Sequence, residues 1–322
     1  MRILLTGSSG WLGQHLAPRL AARGDTVIGV DIRPGPHTTA IGSFTRADFV
    51  ERMFGEHGID AVVHAGALHK PDIARHAAEK FVEVNIRGTL LLLEAAVRAG
   101  HDRFVFTSTT SLMISAAIRA EQARHAVWLD RDAGPLEPRN IYGVTKLAAE
   151  NLCRMTHQQS GLSCVVLRTS RFFPEDDDSA HASSLDGENT KANELLYRRL
   201  TVEDAARAHV RALECAPAVG FGVYVISAPT PFARQDVEEL KSDAAAVIRR
   251  RFPEAPELYA RRGWTLPRTI GRVYDARHAE SELGFRCETG FAELLGALRD
   301  NAPLPFAHDP SYVTGTVVLG AF

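Results

Sequence analysis

Tyr142 and Lys146 lie four residues apart in Asn140-Ile141-Tyr142-Gly143-Val144-Thr145-Lys146. That spacing puts both side chains on one face of a helix. A phenol with its ordinary pKa near 10 is a poor acid–base group at neutral pH. A neighbouring ammonium, and the positive charge of an oxidised nicotinamide, would favour the phenolate. The phenol would then take a proton from an alcohol as hydride leaves, or return one to a ketone. Lys146 is also placed to hold a ribose. A hydroxyl side chain is needed to orient the substrate oxygen, and the run Thr107-Ser108-Thr109-Thr110-Ser111 offers several, although such residues also cap helices.

Such chemistry needs a bound dinucleotide, and the start of the chain supplies the pattern for one. In Thr6-Gly7-Ser8-Ser9-Gly10-Trp11-Leu12-Gly13, three glycines fall between an apolar strand and a helix. Gly7 permits the tight turn, Gly10 lets the backbone approach a pyrophosphate, and Gly13 allows close helix packing. The phosphates would meet the free N–H groups of the helix N-terminus. Asp31, at the end of the second strand, would accept hydrogen bonds from a ribose 2′-hydroxyl and repel a 2′-phosphate, which favours NAD. Arg33 is placed to hold such a phosphate, so NADP stays open.

The surrounding pattern predicts the scaffold. Strands are expected at Ile3–Leu5, Thr26–Val30, Ala61–His64, Arg103–Thr107, Ser163–Leu167 and Gly222–Ser227. Helices are expected at Gly13–Arg23, Thr89–Ala99, Tyr142–Ser160, Val202–Glu214 and from about Gly290 to Leu298. Alternating strands and helices, with near-continuously apolar strands, predict an α/β fold: a Rossmann-type doubly wound parallel sheet. Residues 1–171 with about 201–228 would form the dinucleotide-binding domain. Residues of about 172–200 and 229–322 would form a small, mostly C-terminal substrate-binding lobe. The tail from Asn301 to Phe322 reads as extended, and the acidic run Glu175–Asp178 as a solvated loop or a lid.

Bulk properties narrow the class. The 322 residues are 45% hydrophobic and 24% charged, with a net charge of −2. No basic stripe suggests nucleic acid, and no apolar run is long enough to span a membrane. Four scattered cysteines, without a CxxC pair, argue against a disulfide framework or structural zinc and fit a cytoplasmic location. The histidines form no metal-ligand pattern, so no metal is expected.

Taken with Ala47-Asp48, His64-Ala65-Gly66-Ala67, Asn85 with Gly88-Thr89, Leu167-Arg168, Thr201-Val202-Glu203-Asp204 and Glu282-Leu283-Gly284-Phe285, these motifs make the chain resemble an extended short-chain dehydrogenase/reductase of the NAD-dependent epimerase/dehydratase family. The resemblance covers nearly the whole length. It implies that Gly7, Ser9, Gly10, Trp11, Leu12, Gly13, Asp31, Arg33, Asp48, Ala65, Gly66, Ala67, Asn85, Thr107, Ser108, Tyr142, Lys146 and Arg168 contact the cofactor. Within that set Asp48 would lie near the adenine and Asn85 near the nicotinamide ribose. It implies Thr109 as the catalytic hydroxyl beside Tyr142 and Lys146, a packing role for His64, and a homodimer formed through Thr89–Ala99 and Tyr142–Ser160.

Departures from the family pattern bear on the substrate, for which Leu68, Thr109, Thr110, Ser111 and Arg171 are the candidate contacts. The Asp-Glu pair that dehydratases carry after the catalytic Thr is replaced by Thr110-Ser111. The segment from Phe172 to Arg199 is short beside that of nucleotide-sugar epimerases, and Arg171 replaces a small Asn. These changes are more similar to uronate dehydrogenase-like members with a compact lobe. Arg171, or Arg198-Arg199, would clamp a carboxylate or phosphate. Leu112–Pro138 departs most from the family and is expected to border the substrate. The expected function is hydride transfer between nicotinamide and a secondary alcohol or ketone of a small sugar-like or polyhydroxylated metabolite. The alternative is an epimerase with tightly held NAD, and a third reading is a non-catalytic dinucleotide sensor or scaffold.

Overall fold

The structure, a computed structural model, describes residues 1–172 and 187–306. The acidic run Glu175–Asp178, and the part of the tail beyond residue 306, lie outside the described residues.

Seven parallel strands make the main sheet: β1 (Arg2–Thr6), β2 (Thr26–Asp31), β3 (Ala40–Ile41), β4 (Ala61–His64), β5 (Arg103–Thr109), β7 (Ser163–Thr169) and β8 (Phe221–Ile226). Their order is β3-β2-β1-β4-β5-β7-β8. The chain therefore reverses direction across the sheet between β1 and β4, the crevice where open α/β sheets bind ligands.

The period-two alternation of the strands sorts their side chains between two layers. Ile3, Leu5, Val63, Val105, Val165 and Leu167 form one core with α1 (Trp11–Ala22) and a helix later in the chain, numbered below, through Leu16, Leu20, Ala205, Ala208 and Ala212. Leu4, Val62, Phe104, Phe106, Cys164 and Val166 form the opposite core. Its helices are α2 (Ala47–His57), α3 (Gly88–Arg98) and α4 (Ile141–Ser160), through Phe49, Leu92 and Cys153. α2 is absent from the sequence-based elements. Its polar face, with Arg52, Glu51 and Glu56, masks the stripe Phe49, Val50, Met53 that packs inward.

A third core belongs to the C-terminal part. It joins α5 (Gly187–Glu194), α7 (Val237–Arg251), α8 (Ala255–Arg261) and α10 (Phe291–Arg299), with Leu195, Leu240, Val247, Leu258 and Leu294 at its centre. Between these, α6 (Val202–Val219) is the helix that covers the first core, and α9 (Arg277–Leu283) follows β9 (Arg272–Tyr274). The divergent segment 112–138 contributes β6 (Val127–Leu129), which pairs in parallel with β9 as a separate small sheet. The Trp128 indole N–H donates to Asp275 Oδ2 at 2.9 Å, so this segment is stapled to the C-terminal part. Asp204 fastens the two halves: its carboxylate accepts from the N–H groups of Glu288 and Thr289 at 2.9 and 3.0 Å, at the entry to α10.

Candidate active site

The glycine turn is built by close backbone approach. Gly7 has φ +74°, in the left-handed region that glycine enters without steric cost. A Cβ there would also lie 2.8 Å from Gly66 N, so the turn after β1 is pressed against the loop after β4. A Cβ on Gly13 would lie 2.2 Å from Gly7 O and 2.7 Å from Ser8 Cα. The close contact at Gly13 is thus with the turn itself rather than with the sheet.

Gly10 is the N-cap of α1 and no side chain caps it among the described residues. The first-turn N–H groups therefore lack intrahelical partners, the arrangement that receives an anion. Asp31 closes over the turn: Oδ2 accepts from Ser9 N–H at 3.1 Å and Oδ1 from Arg33 N–H at 3.0 Å. A directional hydroxyl chain runs beside it. Ser9 Oγ donates to Arg33 O at 2.8 Å, and Thr38 joins Ser9 and Ser8 at 2.6 and 2.7 Å. Thr38 was not legible as a site residue. A cradle of glycine backbone, uncapped N–H groups and a strand-end carboxylate fits a dinucleotide diphosphate and its ribose. Arg33 is exposed beside this turn. The Trp11 indole N–H points away, donating to Phe172 O at 3.4 Å, and Leu12 is buried in the first core. Asp48 is exposed at the start of α2 and pairs with Arg46 at 2.6 Å.

A second chain of hydrogen bonds ties this cradle to α4. Gly66 N–H donates to Thr6 Oγ1 at 3.0 Å, and Thr6 Oγ1 lies 2.7 Å from His64 Nδ1. His64 Nε2 lies 3.0 Å from Thr89 Oγ1, whose own proton goes to Asn85 O at 2.7 Å. Thr89 must therefore accept from His64 Nε2–H, and Nδ1 must accept from Thr6. The imidazole is neutral, and burial with the Lys146 charge holds its pKa well below the ordinary histidine value. Asn85, in a π-helical turn at Val82–Arg87, then clamps Leu68 through both backbone groups at 2.9 and 2.8 Å. Its Nδ2 also donates to Thr145 Oγ1 at 3.1 Å. Thr145 stands directly before Lys146. Ala65 and Ala67 flank Gly66 in the loop this chain fixes.

Along α4, Asn140 caps the helix by accepting from Gly143 N–H at 2.9 Å. Tyr142, Lys146, Glu150 and Cys153 then follow at intervals that keep one face. Thr109, the last residue of β5, accepts from Ser111 N–H at 3.0 Å, and its hydroxyl acts to lower the pKa of the Tyr142 phenol. The three residues expected to form the catalytic set are thus gathered at the carboxyl edge of the sheet. The Lys146 ammonium is buried and stands 4.1 Å from the Phe106 ring centroid, a cation–π contact. Burial brings its pKa down to about 7, against the charge of Glu150.

The expectation of an acidic phenol concerned the site with an oxidised nicotinamide bound; in the protein alone the phenol is shifted the other way. Burial pushes the Tyr142 phenol up to about 12, Thr109 opposes this, and the Asp72 charge adds to it. Removing water from an anion outweighs the local hydrogen bond.

Below this set lies a buried ion pair that sequence reasoning missed. Ser108 Oγ donates to Glu150 Oε1 at 2.6 Å, and Arg168 Nη2 to Oε2 at 2.7 Å. Both partners are almost fully buried. The structure therefore places the Ser108 and Arg168 side chains on Glu150, behind the phenol–lysine face. Glu150 was detectable as the next residue of the i, i+4 series. Thr110 is buried, with its hydroxyl 3.4 Å from Thr169 O, and Ser111 is half-buried one residue on.

Thr107 faces the other layer, where its hydroxyl meets His209 Nε2 at 2.7 Å and His209 Nδ1 donates to Ala205 O at 2.7 Å. Burial lowers the His209 pKa to about 4. An unfolded chain binds this proton below the ordinary value of 6.5 and the folded one does not. Stability is therefore full above pH 6.5 and falls as pH drops towards 4, by about 3 kcal/mol in total. We predict that His209→Gln flattens urea-unfolding stability against pH across this window by about 1.4 kcal/mol per unit, one proton's worth. Equal slopes in both proteins would show that His209 is not the group.

Arg171 forms a β-bridge with Arg199, and both surround Glu194 with Arg198. Arg198 Nη2 and Arg199 Nε donate to Glu194 at 2.6 and 3.0 Å, and Arg171 Nε lies 3.8 Å away. Ser170 Oγ and Arg198 Nε are buried without a hydrogen-bond partner among the described residues.

Comparison with known proteins agrees with this fold. The profile of the NAD dependent epimerase/dehydratase family matches residues 3–227, and the chain belongs to that family. It is 31% identical over 176 residues to a UDP-glucose 4-epimerase of Azospirillum brasilense, covering 52% of this chain and 48% of the relative. It is 29% identical over 179 residues to a uronate dehydrogenase of Pseudomonas putida, covering 54% and 62%. The chain spans about half the length of the first of these curated relatives. Among solved structures, an Agrobacterium tumefaciens short-chain dehydrogenase/reductase superfamily protein with bound NAD has TM-score 0.66 at 24% identity, covering 94% of this chain and 98% of its own. A Thermotoga maritima UDP-glucose 4-epimerase with UDP-glucose has TM-score 0.64 at 21% identity, covering 94% and 99%. Both likenesses describe the fold.

Proposed function

We propose that this protein is an NAD-dependent dehydrogenase of a small, sugar-like acid or related polyhydroxylated anion. The observation that carries the reading is Tyr142 with Lys146 one turn on along α4, with the Thr109 hydroxyl at the end of β5, beside a glycine cradle closed by Asp31. NAD, when bound, supplies the hydride acceptor and a positive charge. The protein's part is to bind, orient and move a proton. Gly7, Gly10 and the α1 N-terminus hold the diphosphate, Asp31 takes the ribose, Thr109 orients the substrate hydroxyl, and the Tyr142 phenolate accepts its proton. Thr110 and Ser111 supply no carboxylate pair for eliminating water. The guanidinium groups of Arg171, Arg198 and Arg199 gather around Glu194, and Ser170 Oγ and Arg198 Nε have no hydrogen-bond partner among the described residues. Guanidinium groups suit a carboxylate or phosphate on the substrate.

The deciding experiment incubates the purified protein with NAD and a panel of uronic acids, aldonic acids, free sugars and UDP-sugars. Stoichiometric NADH with an acid supports the proposal. Conversion of a UDP-sugar to its epimer without NADH release would replace it by the second reading, a 4-epimerase, which the similarity to UDP-glucose 4-epimerases favours. Homodimerisation is part of the proposal, supported by exposed Val82 and Val97 on the α3 side and Val144 and Met155 on α4. A monomeric mass by light scattering would refute it.

A further inference from the structure

The buried carboxylate of Glu150 takes no part in the chemistry described above, yet it stands between two pieces of the catalytic set. On α4, Tyr142, Lys146 and Glu150 recur every four residues, so Glu150 lies one turn beyond Lys146 on the same face. On β5, Ser108 directly precedes Thr109. Ser108 Oγ donates to Glu150 Oε1 at 2.6 Å, a direct side-chain tie between the end of β5 and this face of α4. Glu150 is itself held in place. Arg168, which faces Ser108 in the β5–β7 register, donates Nε to Oε1 at 3.0 Å and Nη2 to Oε2 at 2.7 Å. Ser108, Glu150 and Arg168 are all buried, so solvent hardly competes for these bonds. The main chain around Thr109 is pinned from β7 as well. Thr169 Oγ1 donates to Ser108 O at 3.0 Å, and Thr110 Oγ1 lies 3.4 Å from Thr169 O.

We propose that Glu150 is a positioning residue for the proton-transfer step: through Ser108 it fixes the end of β5, and with it the Thr109 hydroxyl, relative to Tyr142 and Lys146 on α4. This rests on the catalytic roles assigned above, and it serves dehydrogenation and epimerisation equally. Strand-to-strand hydrogen bonds fix β5 against its neighbours in the sheet, but not against the helix that covers it. The contacts of that face at Phe104, Ala149, Cys153 and Val166 are apolar, and apolar burial is non-directional. A hydrogen bond to an ionised carboxylate is short and directional. Stability alone does not call for one here, because well-packed hydrophobic residues often replace a buried ion pair without loss. What Glu150 adds is a fixed register between strand and helix. Orienting hydroxyl and proton acceptor must meet the same substrate oxygen, and a misplacement of about 1 Å costs about 100-fold in rate.

The test is a double-mutant cycle on the best substrate of the panel above, comparing wild type, Ser108→Ala, Thr109→Val and the double variant. Ser108→Ala removes the tie and leaves the Glu150–Arg168 pair intact. It should lower kcat about 10-fold or more, with NAD affinity near wild type. In the Thr109→Val background the same change should cost little more, because the hydroxyl to be positioned is already gone. Glu150→Ala should repeat this pattern with a larger loss of thermal stability, and Ser108→Ala decides alone where Glu150→Ala does not fold. Equal fold-losses from Ser108→Ala in both backgrounds would mean that the bond only supports the strand, and would overturn the assignment. So would wild-type kcat in Ser108→Ala, or weaker NAD affinity at unchanged kcat, which would put Ser108 on the cofactor. Those results leave the catalytic set standing. Wild-type turnover in Thr109→Val, or no NAD-dependent turnover of any panel member by the wild type, overturns that set and this assignment with it.

Discussion

Tyr142→Phe should lower kcat/KM by about a thousandfold, within the range that a positioned acid–base group contributes, while dinucleotide binding stays near wild type. The substitution removes one oxygen. It leaves the Phe106–Lys146 contact, the Asn140 cap and the Asn85–Thr145 clamp in place. The Thr109 hydroxyl still accepts from Ser111 N–H. In the protein alone, the phenol is pushed up to about 12 and Lys146 down to about 7, both by burial. Near neutral pH the phenol is therefore protonated and roughly half of the lysine is uncharged. The pair is not charged in advance. Oxidation of an alcohol, which needs the phenolate, should accelerate with rising pH in wild type and lose that dependence in the variant. The rate profile and dinucleotide titration of Tyr142→Phe check this. More than a tenth of wild-type turnover in the variant would assign the base elsewhere.

Legibility from sequence followed how local the cause was. Six of the seven strands of the main sheet were readable because each is a short apolar run bounded by a turn, whereas the two-residue β3 was not, and the sheet faces follow from alternation alone. The glycine turn was readable because its requirements are backbone requirements: Gly7 needs positive φ, and Gly13 tolerates no Cβ. Side-chain direction was harder. Ser108 and Thr107 both lie on β5, at its end in sequence, yet alternation sends one to Glu150 and the other to His209. A residue's place in a motif does not tell which layer receives it. Partners distant in sequence were hardest. The Asn85 clamp joins segments 17 and 60 residues apart, and β6 exists only because β9, more than 140 positions later, pairs with it. The α7 helix, with Leu240, Ala244, Val247 and Ile248 inward, was hidden by arginines on its solvent side.

Glu194→Ala should be the most destabilising single substitution in the C-terminal part, by about 3 to 5 kcal/mol, the usual cost of stripping one partner from a buried ion pair. Glu194 is 1% exposed and receives Arg198 and Arg199 directly, with Arg171 close by. Burial alone would raise its pKa, but the three guanidinium charges prevail and bring it down to about 2. Its ordinary value is 4.5, so the folded state releases this proton more readily than the unfolded chain. The resulting stability is complete above pH 4.5 and is lost as pH falls towards 2, about 3 kcal/mol in all. Removing the carboxylate takes away the anion that Arg198 and Arg199 share, next to Arg198 Nε and Ser170 Oγ, which have no hydrogen-bond partner among the described residues. The variant should therefore melt earlier at pH 7, and citrate or a uronic acid should raise its melting temperature more than that of wild type, because an added anion substitutes for the missing charge. A loss under about 1 kcal/mol, in the range of exposed ion pairs, would mean that solvent already screens the cluster. Equal anion response in the two proteins would separate the arginines from substrate binding and leave them a structural role.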